Sequence, residues 1–100
     1  MSAKAKSKEI LDKELFAIDE KIGKVKEIEI DLDEWKVTRL EIELEKDVAE
    51  SVLGAKKGGV RNMLDISALE KGAVRRTDKG LRLQIRKDQL HVYLKPVVGT

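Results

Sequence analysis

Residues 22–44, IGKVKEIEIDLDEWKVTRLEIEL, decide the fold of this chain. They read as two β-strands joined by a tight turn. Ile28, Ile30 and Leu32, then Leu40, Ile42 and Leu44, step by two, the period of a strand with one buried face. Val25 and Val37 each stand three residues before the next apolar position, one out of phase. A β-bulge in each strand absorbs such a slip and bends it, as a small closed barrel requires. With Ile30 opposite Val37, the bulges bring Ile28 to Leu40 and Val25 to Ile42. Gly23, near the entry to the first strand, suits a structural turn or a close approach of two chains.

One hundred residues specify one domain, large enough for a core without disulfides or metal. The absence of Cys excludes thiol redox chemistry and thiolate metal sites. No apolar run approaches the roughly 20 residues that cross a bilayer, and MSAKAKSKE lacks the apolar segment of a signal peptide. The expectation is a cytoplasmic protein with no direct membrane insertion. Charged residues make up 40% of the chain, with few Asn and Gln, as in thermophile proteins. Residues 1–50 carry 10 Lys+Arg against 15 Asp+Glu, a net of −5, and residues 51–100 carry 11 against 4, a net of +7. Such a split either interleaves within one fold or separates an acidic face from a basic one.

Outward from the hairpin, residues 1–12 read as a flexible Lys-rich tail, 13–96 as the domain and 97–100 as a C-terminal tail. Glu14 to Ala17 is a first short strand. The hairpin's outward face carries Glu27, Glu29, Asp31, Glu41, Glu43 and Glu45, offset by Lys24, Lys26, Lys36 and Arg39. Alternation on an exposed strand accounts for these acids without catalysis or metal. Lys46 to Gly54 is a helix, with Asp47 and Glu50 at capping-box spacing and Gly54 suited to the C-terminal cap. The loop AKKGGV lacks a phosphate-cradling pattern. Asn62 to Ile66 is a strand, followed by one helical turn from Ser67. Ala73 to Thr77 and Leu81 to Ile85 form a hairpin around Asp78-Lys79-Gly80. Arg75, Arg76, Arg82 and Arg86, with Lys56 and Lys57, form a basic partner surface. In the last strand Leu90, Val92 and Leu94 point inward and Pro96 ends the ladder. Tyr93, Val97 and Val98 are then left outside with His91 at their rim, an apolar patch of the kind that marks an interface. His91, the only His, has no partner spacing for catalysis.

Ile22-Gly23-Lys24-Val25, the alternating Ile28-Glu29-Ile30-Asp31, and Val37-Thr38-Arg39-Leu40-Glu41-Ile42 together resemble the PRC-barrel. This β-barrel is shared by the photosynthetic reaction centre H subunit and the ribosome maturation factor RimM. Leu64-Asp65-Ile66-Ser67 and a closing apolar strand fit the same pattern over roughly residues 13–95. The resemblance implies a mainly β fold, a small barrel of about six antiparallel strands with one short helix. As a free-standing barrel the chain is most similar to small archaeal members associated with cell division. That likeness implies a non-enzymatic adaptor without cofactors, recruited to the division site. Such adaptors link the SepF membrane anchor, and through it the tubulin-like FtsZ ring, to other division proteins. The implied partners are the anchor and a second PRC-barrel, as homodimer or heterodimer with a paralogue. A RimM-like ribosome assembly role, on a ribosomal protein or rRNA, is the alternative. Nucleic acid is the less expected partner, because Phe16, Trp35 and Tyr93 are too scattered to form a stacking platform. The hairpin Ala73 to Ile85 is longer than a minimal barrel needs.

Overall fold

In a computed structural model, which describes residues 6–18, 20–56, 60–69 and 72–96, the chain forms a seven-stranded sheet and one α-helix. The strands are β1 (Glu14–Phe16), β2 (Lys21–Asp31), β3 (Lys36–Leu44), β4 (Arg61–Asp65), β5 (Val74–Arg76), β6 (Gly80–Leu83) and β7 (Leu94–Pro96); the helix is α1 (Lys46–Leu53). Their order across the sheet is β5-β6-β1-β2-β3-β4-β7. The outer strands β5 and β7 do not pair with each other, so the sheet curls without closing into the expected barrel. There are seven strands rather than six, and β1 runs parallel to β6 where antiparallel pairing was expected throughout.

The central ladder has the register the phase argument requires: Ile30 faces Val37, Ile28 faces Leu40 and Val25 faces Ile42. One extra residue is absorbed in each strand, Lys26 between Val25 and Glu27 on β2, and Thr38 between Val37 and Arg39 on β3. Both extra residues are put to use. Lys26 Nζ lies 2.7 Å from Asp12 Oδ1, and Thr38 Oγ1 donates to Glu29 Oε1 at 3.0 Å. Asp12, read from sequence as part of a tail, is therefore held against β2. Asp12 N–H donates to the Val25 carbonyl, Val25 N–H donates to the Lys13 carbonyl, and Ile10 packs on the core.

Gly23 sits inside β2 with Leu15 on one side and Leu44 on the other. Its φ is not in the left-handed region, so the requirement is a close approach and not the turn conformation. A Cβ there would overlap the Glu43 carbonyl oxygen and stand 3.1 Å from Leu44 Cα. Gly80, at φ +155°, is equally confined: a Cβ would overlap the Glu14 backbone.

The core lies on the concave side of the sheet. Leu15, Ile22, Val25, Leu40, Ile42, Leu44, Leu64, Leu81 and Leu83 are buried there, closed off by Val48 and Ala49 of α1 and by Leu90 and Leu94. The helix starts at Lys46 as expected, but its N-cap lies two residues before the capping signal at Asp47. Glu45 is its N-cap: its N–H serves the Ile22 carbonyl, its own carbonyl accepts from Ala49, and its carboxylate makes no cap hydrogen bond but pairs with Lys21 at 3.1 Å. Asp47 thus lies in the first turn, where its charge suits the helix dipole. Gly54 closes the helix at φ +71°, as expected.

Two segments depart from the sequence reading. Ile66 leaves β4 and opens a single 3-10 turn, Ile66–Ala68, capped by Asp65, which accepts from Ser67 N at 3.1 Å. Lys87–Val92 is a 3-10 helix, which takes in Leu90 to Val92, expected as the start of the last strand. There Gln89 Oε1 accepts from Arg86 N at 3.1 Å and stabilises the first turn. Leu90 and Leu94 are buried as expected, but Val92 is 64% exposed and Tyr93 is half-buried against the core. Only three residues remain to pair as β7.

The acidic face is neutralised by more partners than the hairpin alone supplies. Arg39 pairs with Glu29 at 3.4 Å, Arg61 of β4 reaches Glu41 at 2.9 Å and Glu43 at 3.9 Å, and Lys21 bridges Glu14 and Glu45. Each surface pair contributes little alone.

Two outcomes test this description. Gly23→Ala should lower stability by about 2–3 kcal/mol, because the backbone of β3 has to retreat; chemical denaturation measures it, and an unchanged midpoint would show that β2 and β3 are not so close. The Ser67 hydroxyl and N–H hold the Asp65 carboxyl below its ordinary value of 3.8, and the Lys26 ammonium does the same for Asp12. A depressed folded-state value stabilises the fold above the ordinary value, and that stabilisation is lost as pH falls through the folded one. Carboxyl NMR titration should give an Asp65 midpoint below 3.8. Asp65→Asn should remove part of the acid sensitivity of the melting temperature.

Candidate interaction surface

The hairpin β2–β3 outreaches its neighbours. β1 pairs with β2 no further than Lys24, and β4 pairs with β3 no further than Arg39. Residues 30–37 therefore form a two-stranded arm with no strand on either side among the described residues. Ile30 and Leu32, assigned from their alternation to the buried face, are 51% and 71% exposed. The reason is tertiary: the short flanking strands end before they could cover them. Val37, opposite Ile30, and Trp35, 80% exposed, complete an apolar set on the arm.

The tip is built by its own polar residues. Asp31 Oδ1 accepts from the backbone N–H groups of Asp33 (2.9 Å) and Glu34 (3.2 Å), which folds the loop, and Lys36 pairs with Glu34 at 2.7 Å. Trp35 completes the turn at φ +54°, a conformation costly for a bulky residue. The arm carries Asp31, Asp33 and Glu34 against Lys36, a net of −2.

The expected basic surface is divided by the fold. Arg75 and Arg82 face each other directly across β5 and β6, both exposed, with no acidic side chain paired to either among the described residues. Like charges so placed repel. Arg76 instead reaches Glu9 of the N-terminal turn at 2.5 Å, and Arg86 pairs with Asp88 at 3.3 Å. Lys56 is exposed at the end of the loop after α1, and Lys57 lies outside the described residues.

Of the expected interface patch, Val97 and Val98 lie outside the described residues. His91 is exposed, and its Nδ1 donates to the Asp88 backbone carbonyl at 3.0 Å rather than to a carboxylate. Tyr93 does not point outward as the strand reading required. With Leu69 and Ile85 it forms the apolar part of an open cleft of about 420 Å³, whose polar part includes Arg75, Gln84 and Gln89. One wall of the cleft is tied to the arm's root. Arg39, at the arm's root, pairs with Asp65; the Asp65 N–H donates to the Tyr93 carbonyl at 3.0 Å; and Leu69 lies four residues further on.

Among the described residues no three His, Asp or Glu side chains converge to hold a metal ion, and no helix is long and apolar enough to cross a membrane. The arm's exposure was hidden from sequence reasoning because its alternation is that of a core strand. The one available signal was length: the hairpin strands have 11 and 9 residues, and β1 and β4 have 3 and 5.

No curated protein matches the chain. The PRC-barrel domain model matches residues 4–90, which takes in the N-terminal turn, the central hairpin, α1 and the basic hairpin. With that match over most of its length, the chain belongs to the PRC-barrel domain family.

Proposed function

We propose that this chain is a non-catalytic protein-interaction module that holds other proteins in an assembly. The observation that carries the reading is the apolar arm: Ile30, Leu32, Trp35 and Val37 are exposed in a fold that buries or half-buries its other large apolar strand residues. Exposed apolar sets rimmed by charge are interaction surfaces. The PRC-barrel family is generally non-catalytic, and a protein-interaction or assembly role suits it.

The sequence resemblance extends the proposal to an adaptor of the archaeal FtsZ-based division machinery that joins the SepF anchor to other division proteins. A second PRC-barrel, identical or paralogous, is among its partners. On this reading the protein reaches the membrane by recruitment. The opposed Arg75 and Arg82 favour one alternative, a RimM-like assembly factor that sets this pair against rRNA or an acidic ribosomal protein.

Affinity capture from the native cells, with nuclease treatment, separates the two. The adaptor reading expects division proteins to be retained after nuclease and RNA binding to be weak, with a shallow salt slope, because few cations are free to neutralise phosphates. Retention of ribosomal proteins, or submicromolar RNA binding lost on charge reversal of Arg75 and Arg82, would contradict it.

A further inference from the structure

We propose that the arm of one chain docks in the Tyr93 cleft of a second copy, and that two copies exchange arms about a two-fold axis. The inference rests on the reading that this chain works through protein contacts, and it names the contact. Three observations support it. The arm is acidic, at −2, and ends in an indole; the cleft is lined by Arg75, whose cross-strand neighbour is Arg82, and no acid pairs with either among the described residues. Asp33, at the tip, has no cationic partner among the described residues, and neither arginine has an anionic one. Each therefore lacks what the other supplies.

The second observation is fit. A cleft of about 420 Å³ is within the range that takes a compact ligand, here one indole. Leu69, Ile85 and Tyr93 offer apolar contact, Arg75 offers a cation to the ring face, and Gln84 or Gln89 offers an acceptor for the indole N–H. The third is position. The segment Asp65–Leu69 runs from the arm root, where Asp65 faces Arg39, to the wall of the cleft at Leu69. Exchange of identical elements then closes at two copies and leaves no open arm to propagate. The strain at Trp35 agrees with this assignment: glycine would fit φ +54° at lower cost, yet the position holds the one Trp of the sequence, aimed into water.

That Trp is its own reporter. Fluorescence emission followed from low to high micromolar concentration, together with sedimentation velocity, should show a shift to the blue in step with conversion of monomer to dimer. Trp35→Gly should keep the circular dichroism and melting temperature of the wild-type monomer, because it relieves a left-handed position, and should weaken association by about tenfold or more. Arg75→Glu with Arg82→Glu should abolish the emission shift, and adding Asp33→Lys with Glu34→Lys to the same chain should restore it. A dimer whose Trp35 emission stays that of exposed indole overturns the proposal. So does a chain that remains monomeric, or one that grows into longer assemblies. A monomer that still captures division proteins would end this pairing and leave the adaptor reading intact; a Trp-buried dimer that captures none would do the reverse.

Discussion

The rest of the structure depends on the antiparallel ladder between β2 and β3. It spans Gly23 to Asp31 on one strand and Lys36 to Leu44 on the other, and every other strand is added to its flanks. Two constraints shape it. The extra residues Lys26 and Thr38 increase twist at two points and turn the strand pair over the core. Gly23 lets β3 approach β2 where the ladder begins, close to where β3 gives way to α1. A side chain there would push away the segment that carries Leu44, Val48 and Ala49 into the core.

The ladder was legible because its information is local. A period of two, broken once per strand by a single residue, fixes both the bulges and the partner of each apolar side chain. What stayed hidden depends on distant segments. The parallel pairing of β1 with β6 joins residues more than sixty apart, and no local pattern encodes it. The region from Leu90 to Leu94 was ambiguous in itself. Apolar residues at 90, 92 and 94 fit a strand, while Leu90 and Leu94 alone also fit a helical turn followed by a strand, and the polar sequence Arg86-Lys87-Asp88-Gln89 forms that turn. The exposure of Ile30 and Leu32 follows from where β1 and β4 stop. Only the assembled sheet reveals that.

The candidate site follows the same division. The four arginines were legible as a basic group, but the fold divides them. Arg76 ties the N-terminal turn to β5, Arg86 pairs beside the 3-10 helix, and Arg75 and Arg82 are left opposed. Tyr93 was expected outside the core from its strand phase, and the fold instead half-buries it beside the cleft. The resulting molecule separates its functions in space. A bulged ladder supplies stability, and its overhanging end supplies an apolar, acidic surface that contributes nothing to the core.

Amide hydrogen exchange followed residue by residue reads out that separation. In dilute protein, amides of Val25 and Glu27 and of Leu40 to Leu44 should exchange slowest, through global unfolding, while those of Leu32 to Thr38 should exchange orders of magnitude faster through local opening of the arm. An arm as protected as the central ladder, or a slowest-exchanging set located in β5 and β6, would contradict the account.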